Sequence, residues 1–397
     1  MIEMTRPRPT RRRMLQSAAG AAAGLAASAW ARAQSKARAD GADKPSAWPA
    51  WDGFRRQFVS GDGRVHADEQ GQVHSEAQSY ALFFALVADD RESFDCLLRW
   101  TQDNLCAGDL TARLPAWLWG KREDQSWGVI DANAASDADL WIAYALAEAG
   151  RLWNDTRYGA LSSVLAARIV REETADLPGL GPTLLPAPRG FGLPGGRWRL
   201  NPSYMPLQVL RRLGDTAGAP AYKPLLASAR RVLAQSAPQG FSPDWTVYDA
   251  SEGRRGFHID DTEDKARGQG AYNAIRVYLW AGMLHPRAEG RKALLQTFAP
   301  MARFVRERGY PPEYIDIQSG QASGSAPSGF SAALLPFLRA SDETEALRVQ
   351  QLRLQARAPR PDAYYDQCLM LFGQGWTQGA YRFDADGRLL PRWRNKP

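Results

Sequence analysis

Apolar residues recur at steps of three and four along most of this chain, a spacing that builds one stripe of an α-helix and cannot line one face of a strand. Tyr80, Phe83, Phe84 and Val87 form such a stripe on a predicted helix from about Glu76 to Ala88, and a second helix runs from about Arg91 to Asn104. Leu140, Trp141, Tyr144 and Ala145 repeat the pattern between Asp137 and Trp153. The same spacing predicts helices near 155–172, 203–213, 220–236, 271–284, 289–308, 329–339, 342–356 and 361–373. No alternation of period two is long enough to predict a sheet, and short strands are expected only near 181–200 and 380–390. Eleven or so helices of 10–17 residues read as stacked helical hairpins in one all-α domain. No fixed-period repeat marks a solenoid. Periodicity alone leaves closed barrel, open solenoid and irregular bundle as alternatives.

A formal net charge of +7 invites a nucleic-acid reading, but +5 of it lies in the first 33 residues and only +2 in the remaining 364. A body so nearly neutral has no broad footprint for phosphates, which argues against a nucleic-acid partner. The charged segment has its own logic. Arg11, Arg12 and Arg13 precede an alanine-rich apolar stretch from Ala18 to Ala29, and Ala31-Arg32-Ala33 offers small residues where a signal peptidase reads. Residues 1–33 are therefore expected to be a twin-arginine signal peptide, 34–47 a linker and 48–397 the catalytic domain, working in the periplasm or outside the cell. The apolar stretch is shorter than the roughly 17 residues a membrane span needs. Cys96, Cys106 and Cys368 form no Cys-x-x-Cys pair, and four scattered histidines have no ligand spacing, so no metal site is expected.

Chemistry-bearing residues concentrate in two similar segments. Ser75-Glu76-Ala77-Gln78 reads as a capping box, and Ser136-Asp137-Ala138-Asp139 as a variant with an acid in place of the amide. Each puts a carboxylate directly after a capping serine. Helix dipoles alone favour acids there. Between them, Leu114-Pro115-Ala116-Trp117-Leu118-Trp119-Gly120-Lys121 sets two tryptophans in an apparent loop, one of them expected in the core. Fourteen Trp and 13 Tyr supply flat faces of the kind that stack on sugar rings. Paired carboxylates beside such aromatics fit a polysaccharide hydrolase, which needs an acid for the leaving oxygen and a base for water. A helix N-terminus lowers a carboxyl pKa while a general acid wants it raised, so burial and a neighbouring carboxylate must outweigh the dipole at Glu76.

The chain resembles glycoside hydrolase family 8, and within it the periplasmic endo-1,4-β-glucanases of bacterial cellulose-synthase operons. The motifs that carry the resemblance run from about Trp48 to Trp393. They include Ser75-Glu76-Ala77-Gln78-Ser79-Tyr80, Ala135-Ser136-Asp137-Ala138-Asp139, Asn201-Pro202-Ser203-Tyr204, Gly240-Phe241-Ser242-Pro243-Asp244-Trp245, Ala274-Ile275-Arg276-Val277-Tyr278 and Leu371-Phe372-Gly373-Gln374-Gly375-Trp376. The resemblance implies an (α/α)6 barrel, a monomer, and an inverting β-1,4-glucanase that needs no cofactor or metal. It implies Glu76 as proton donor and Asp137 as the signature acid that binds sugar or tunes the donor. It implies substrate contacts from Trp117, Trp119, Tyr204, Asp244, Tyr272 and Arg276, and cellulose, with the cellulose synthase complex, as partners.

One position departs from the family pattern. Where the cellulases carry Tyr-Asp before Ala-Ile-Arg, with the Asp as general base, this chain has Tyr272-Asn273. An amide cannot take a proton from water at neutral pH. Three readings follow: a catalytically weak glucan-binding relative, Asp137 as base, or a base from the acidic loop holding Asp260, Asp261, Glu263 and Asp264. Asp244 is a further candidate. A cleft lined by acids would suit cationic chitosan, and xylan is the other alternative substrate within the family.

Overall fold

The computed structural model describes residues 46–67, 71–215, 219–262 and 268–395. The expected signal peptide, the linker up to residue 45, and Glu263 and Asp264 lie outside the described residues.

Six helices form an inner ring: α2 (Ser75–Val87), α4 (Ser136–Leu152), α6 (Leu207–Leu213), α8 (Ala274–Met283), α11 (Ser328–Ala340) and α13 (Tyr364–Thr377). Each packs on the next, and Phe372 of α13 closes the ring against Tyr80, Phe83 and Phe84 of α2. These helices are apolar nearly all round, as a helix must be when both its faces are covered. Phe83, Trp141, Trp280 and Phe372 meet where the helices converge. Small residues let the helices approach: a Cβ on Gly373 would collide with the Ala332 carbonyl, and one on Gly282 with the backbone at Phe337.

Outside this ring lie α1 (Pro49–Phe58), α3 (Arg91–Leu105), α5 (Thr156–Glu172), α7 (Ala219–Gln235), the pair α9 (Arg291–Thr297) and α10 (Ala299–Arg308), and α12 (Thr344–Ala356). Each covers an inner partner with one apolar stripe, such as Trp51, Phe54 and Phe58 on α1. Two concentric rings of this kind are an (α/α)6 barrel, the alternative that periodicity left open. At the far end, the buried Glu148 of α4 accepts from Arg151, from Arg212 of α6 at 2.5 Å and from the Leu389 backbone at 2.7 Å. It ties two inner helices to the C-terminal hairpin.

Strands are more numerous than the sequence suggested. The two expected regions contain β5 (Gly181–Leu184), β6 (Gly192–Leu193) and β7 (Arg197–Leu200), and β13 (Tyr381–Phe383) with β14 (Leu389–Pro391). Further short strands make small antiparallel sheets elsewhere: β1 (Val73–His74), β2 (Leu118–Lys121) and β3 (Trp127–Asp131) form one, and β8 (Thr246–Asp249) and β9 (Gly256–Ile259) extend another beside β7. Strands of two to five residues are too short to display an alternation, which is why they read as loops. Among the described residues, no helix is long and apolar enough to cross a membrane.

Candidate active site

Three inner helices begin at the same end of the barrel, and their first turns meet. Glu76 lies in the first turn of α2, Asp137 in that of α4 and Arg276 in that of α8. The Arg276 guanidinium binds the Glu76 carboxylate, donates to Asp137 Oδ2 at 3.3 Å and to the Tyr80 hydroxyl at 2.8 Å, and reaches Asn273 Oδ1 at 2.6 Å. It lies 5.8 Å from the centre of the Tyr204 ring. Glu76, Asp137, Tyr204, Asn273 and Arg276 are thus one cluster, although they are spread over 200 residues.

Exposure separates the two acids. The Glu76 side chain is 25 % exposed and the Asp137 side chain 4 %, so Glu76 is the one able to touch a substrate. Burial and the Glu76 charge push the Asp137 carboxyl up to about 7, against the pull of Arg276 and of the Ala138 amide. The two carboxyls face each other across Arg276, and Asp137 holds a proton near neutral pH. Burial and a like charge therefore outweigh the three helix N-termini aimed at this spot, as a proton-donating site requires. Arg276 stays charged, because the acids around it offset its burial.

The local backbone corrects the capping-box reading. The helices start at Ser75 and Ser136 themselves, with His74 and Ala135 as caps, and both serine hydroxyls are buried without a partner. Gln78 does not reach back to the cap. Its amide instead accepts from Val65 N–H and donates to the Gly63 carbonyl and the Thr101 hydroxyl, pinning an incoming loop.

The tryptophans divide. Trp117 is half-buried, stacks on His74 with ring centres 5.7 Å apart, and hydrogen-bonds Asp131. Its carbonyl accepts from Ser75 N–H, holding it beside the start of α2. Trp119 is 8 % exposed and packs edge-on against Trp100, which makes it the one of the two tryptophans that lies in the core. An irregularity in register between Leu118 and Trp119 breaks the alternation that would set the two rings on one face.

Tyr272 is 39 % exposed and donates from its hydroxyl to Glu313 at 2.8 Å, amid Phe330, Tyr314 and Tyr365. Asp244 Oδ1 accepts backbone N–H groups from Ala271, Asn273 and Ala274 at 2.7–3.0 Å. Burial raises its pKa and these three bonds pull it back.

The acidic loop is differently employed. Asp260 is 2 % exposed and is bound to Arg199 at 2.8 Å and to Thr262. Asp261 pairs with Arg197 at 2.5 Å. Arg199 in turn lies 4.2 Å over the Trp245 ring, which stacks on Phe191 and leans on Tyr204. Arg199, Phe191 and Trp245 were not singled out from the sequence, although Trp245 stands next to Asp244. Tyr80 was read only as part of a core stripe. Among the described residues, no group of three or more His, Cys, Asp or Glu could hold a metal ion.

This arrangement sets a substrate-facing carboxylate beside a buried acid and aromatic surfaces, and the chain as a whole is similar to known proteins. The profile described as Glycosyl hydrolases family 8 matches residues 26–379. An endoglucanase of Escherichia coli (strain K12) is 47 % identical over 349 residues, covering 87 % of this chain and 91 % of its own. One from Xanthomonas axonopodis pv. citri (strain 306) is 46 % identical over 391 residues, covering 97 % and 98 %. The crystal structure of an endo-1,4-D-glucanase from Vibrio fischeri ES114 superposes with a TM-score of 0.79 at 41 % identity, over 88 % of this chain and all of that one. With a profile spanning most of the chain and relatives this similar along most of both lengths, the chain belongs to glycosyl hydrolase family 8 and is a glycoside hydrolase.

Proposed function

We propose that the protein is an endo-β-1,4-glucanase that cleaves cellulose with inversion of configuration. The observation that carries this reading is the proton-sharing pair of Glu76 and Asp137 around Arg276, with only Glu76 open to a chain lying across Trp117, Tyr204 and Tyr272. Glu76 protonates the leaving oxygen, and Asp137 supplies the proximity that keeps the proton available. A water on the opposite face attacks the sugar carbon, so no covalent intermediate forms. Asn273 cannot take that water's proton. Asp244, largely buried and hydrogen-bonded to the backbone N–H of Asn273, is the carboxylate beside the vacant role, and it acts as base.

The endoglucanase names of the relatives support the reaction class. The Arg11-Arg12-Arg13 segment with its alanine-rich stretch supports export by a twin-arginine signal, and the catalytic domain then begins at about residue 48. In the periplasm, a monomeric enzyme of this specificity would trim glucan emerging from the cellulose synthase complex.

Reducing-sugar release from carboxymethylcellulose, chitosan and xylan tests the substrate, and proton NMR of the first product tests the stereochemistry. Release from carboxymethylcellulose with the α-anomer formed first is the expected result. Cleavage of chitosan or xylan alone would replace cellulose as substrate, and binding without cleavage of any of them would leave a glucan-binding protein.

A further inference from the structure

Directly behind the site lies a second pair of carboxyls that the reaction as described does not use. Asp139 is in the first turn of α4, two residues beyond Asp137, and Glu173 is the residue that ends α5. Both are fully buried, at 0 % exposure. The backbone makes them meet: Leu185 N–H donates to the Glu173 carbonyl, and Ser136 N–H to that of Pro186, so one short segment staples the two helix ends together.

The two carboxyls lie close enough to act on each other, and none of their four oxygens has a hydrogen-bond donor among the described residues. The charged groups that act on them are acids, Asp137 and Glu172. Cys106 of the loop after α3, Tyr204 and Tyr222 complete the titratable surroundings. Two ionised carboxylates cannot face each other in such a place without a cation. Asp139 sits at a helix N-terminus, which stabilises a negative charge, whereas Glu173 sits at a C-terminus, which repels one.

We propose that Glu173 is kept as a neutral acid donating its proton to the Asp139 carboxylate, so that the pair holds one negative charge behind Asp137 and sets the pH at which the Glu76–Asp137 pair releases its proton. The inner pair is a positioning element that never touches substrate. Burial, the largest influence on both groups, raises their proton affinity, and the action of each on the other lowers that of Asp139 while raising that of Glu173. The helix ends point the same way, with Asp139 in the first turn of α4 and Glu173 at the C-terminus of α5, so the proton belongs on Glu173. A fixed negative charge behind Asp137 raises the proton affinity of the outer pair and keeps the donor loaded to higher pH.

The inference rests on Glu76 being the proton donor of a glucanase, and the test separates the two. In the full chain, kcat/KM on carboxymethylcellulose is followed against pH for wild type, Asp139→Asn and Glu173→Gln. Asp139→Asn removes the charge, so the alkaline limb should move down by about half a pH unit. Glu173→Gln retains a donor to Asp139 and should leave the limb in place. A wild-type limb in Asp139→Asn would overturn the proposal, as would a Glu173→Gln limb displaced as far as that of Asp139→Asn. Infrared difference spectra at neutral pH give a readout that needs no substrate. Glu173→Gln should lose one protonated-carboxyl band, and retention of the full band intensity would sink the assignment. If wild type cuts no glucan, the glucanase reading fails, while the infrared result still decides where the proton sits.

Discussion

Two pairs of facing carboxyls stand within two residues of each other on α4, and they differ in everything around them. Asp137 faces Glu76 across a guanidinium that also holds Tyr80 and Asn273, and one member of that pair reaches solvent. Asp139 faces Glu173 with no donor from any other group among the described residues and no exposure. In both, burial forces a proton onto an acid at neutral pH. The cation turns the outer pair into a site that can gain and lose charge, and the opening lets that proton leave toward a substrate. The inner pair has neither, and its proton stays.

Matched amide substitutions break the comparison most sharply. Glu76→Gln removes the transferable proton and keeps the shape, so turnover should fall by about 10²–10⁴-fold with glucan binding preserved. Glu173→Gln, the same change one pair inward, should leave turnover within a few fold at neutral pH. Reducing-sugar assays on both variants check this, and near-normal activity in Glu76→Gln would remove it as the acid. Next in size is the cation. Arg276→Met strands two carboxyls beneath the cleft, and breaking a buried pair from one side typically costs about 3–5 kcal/mol. Urea unfolding would measure the loss, which a solvated, dispensable arginine would not produce.

Asn273→Asp sharpens the outer pair more gently. Asn273 Oδ1 already accepts from Arg276 at 2.6 Å, so a carboxylate there gains a charge-assisted bond in place of a neutral one. It also places a carboxylate where the family resemblance implies the general base. Activity should rise several-fold, as judged by kcat on carboxymethylcellulose. An unchanged rate, with loss on Asp244→Asn, would leave Asp244 as the sufficient base.

The outer pair was legible in the chain and the inner pair was not, for physical reasons. Glu76 and Asp137 stand in short motifs at helix starts that local pattern names, while Arg276, Tyr204 and Asn273 were named through the family resemblance, and only the fold assembles them. The inner helices were legible because their apolar stripes are wide. Which of Trp117 and Trp119 turns inward was not legible, because spacing does not record the register irregularity between Leu118 and Trp119. Asp260 reads as a surface acid until Arg199 is seen beneath it. Glu173 follows Arg171 and Glu172, a run that reads as a solvated helix end. It is buried only because β4 (Thr174–Leu177) folds back antiparallel on β5 and lays the chain over it.

The smallest expected effect is on stability, and its pH dependence tests the inner pair. Glu173 has a folded-state proton affinity raised above its ordinary value near 4.5, chiefly by burial. A carboxyl shifted this way binds its proton more tightly folded than unfolded, so its contribution is fully present below about pH 4.5 and is lost as pH rises toward the folded value. Wild type should therefore lose stability steadily from mildly acidic to alkaline pH. Asp139→Asn/Glu173→Gln together cannot titrate, and two facing amides can exchange hydrogen bonds in the same space. The double variant should melt roughly 2–4 °C higher than wild type at pH 8 and show a smaller difference at pH 5. Thermal unfolding at the two pH values measures this. A difference that is equal at both, or larger at pH 5, would mean that the inner pair carries no shared proton and that its burial is tolerated by some means other than protonation.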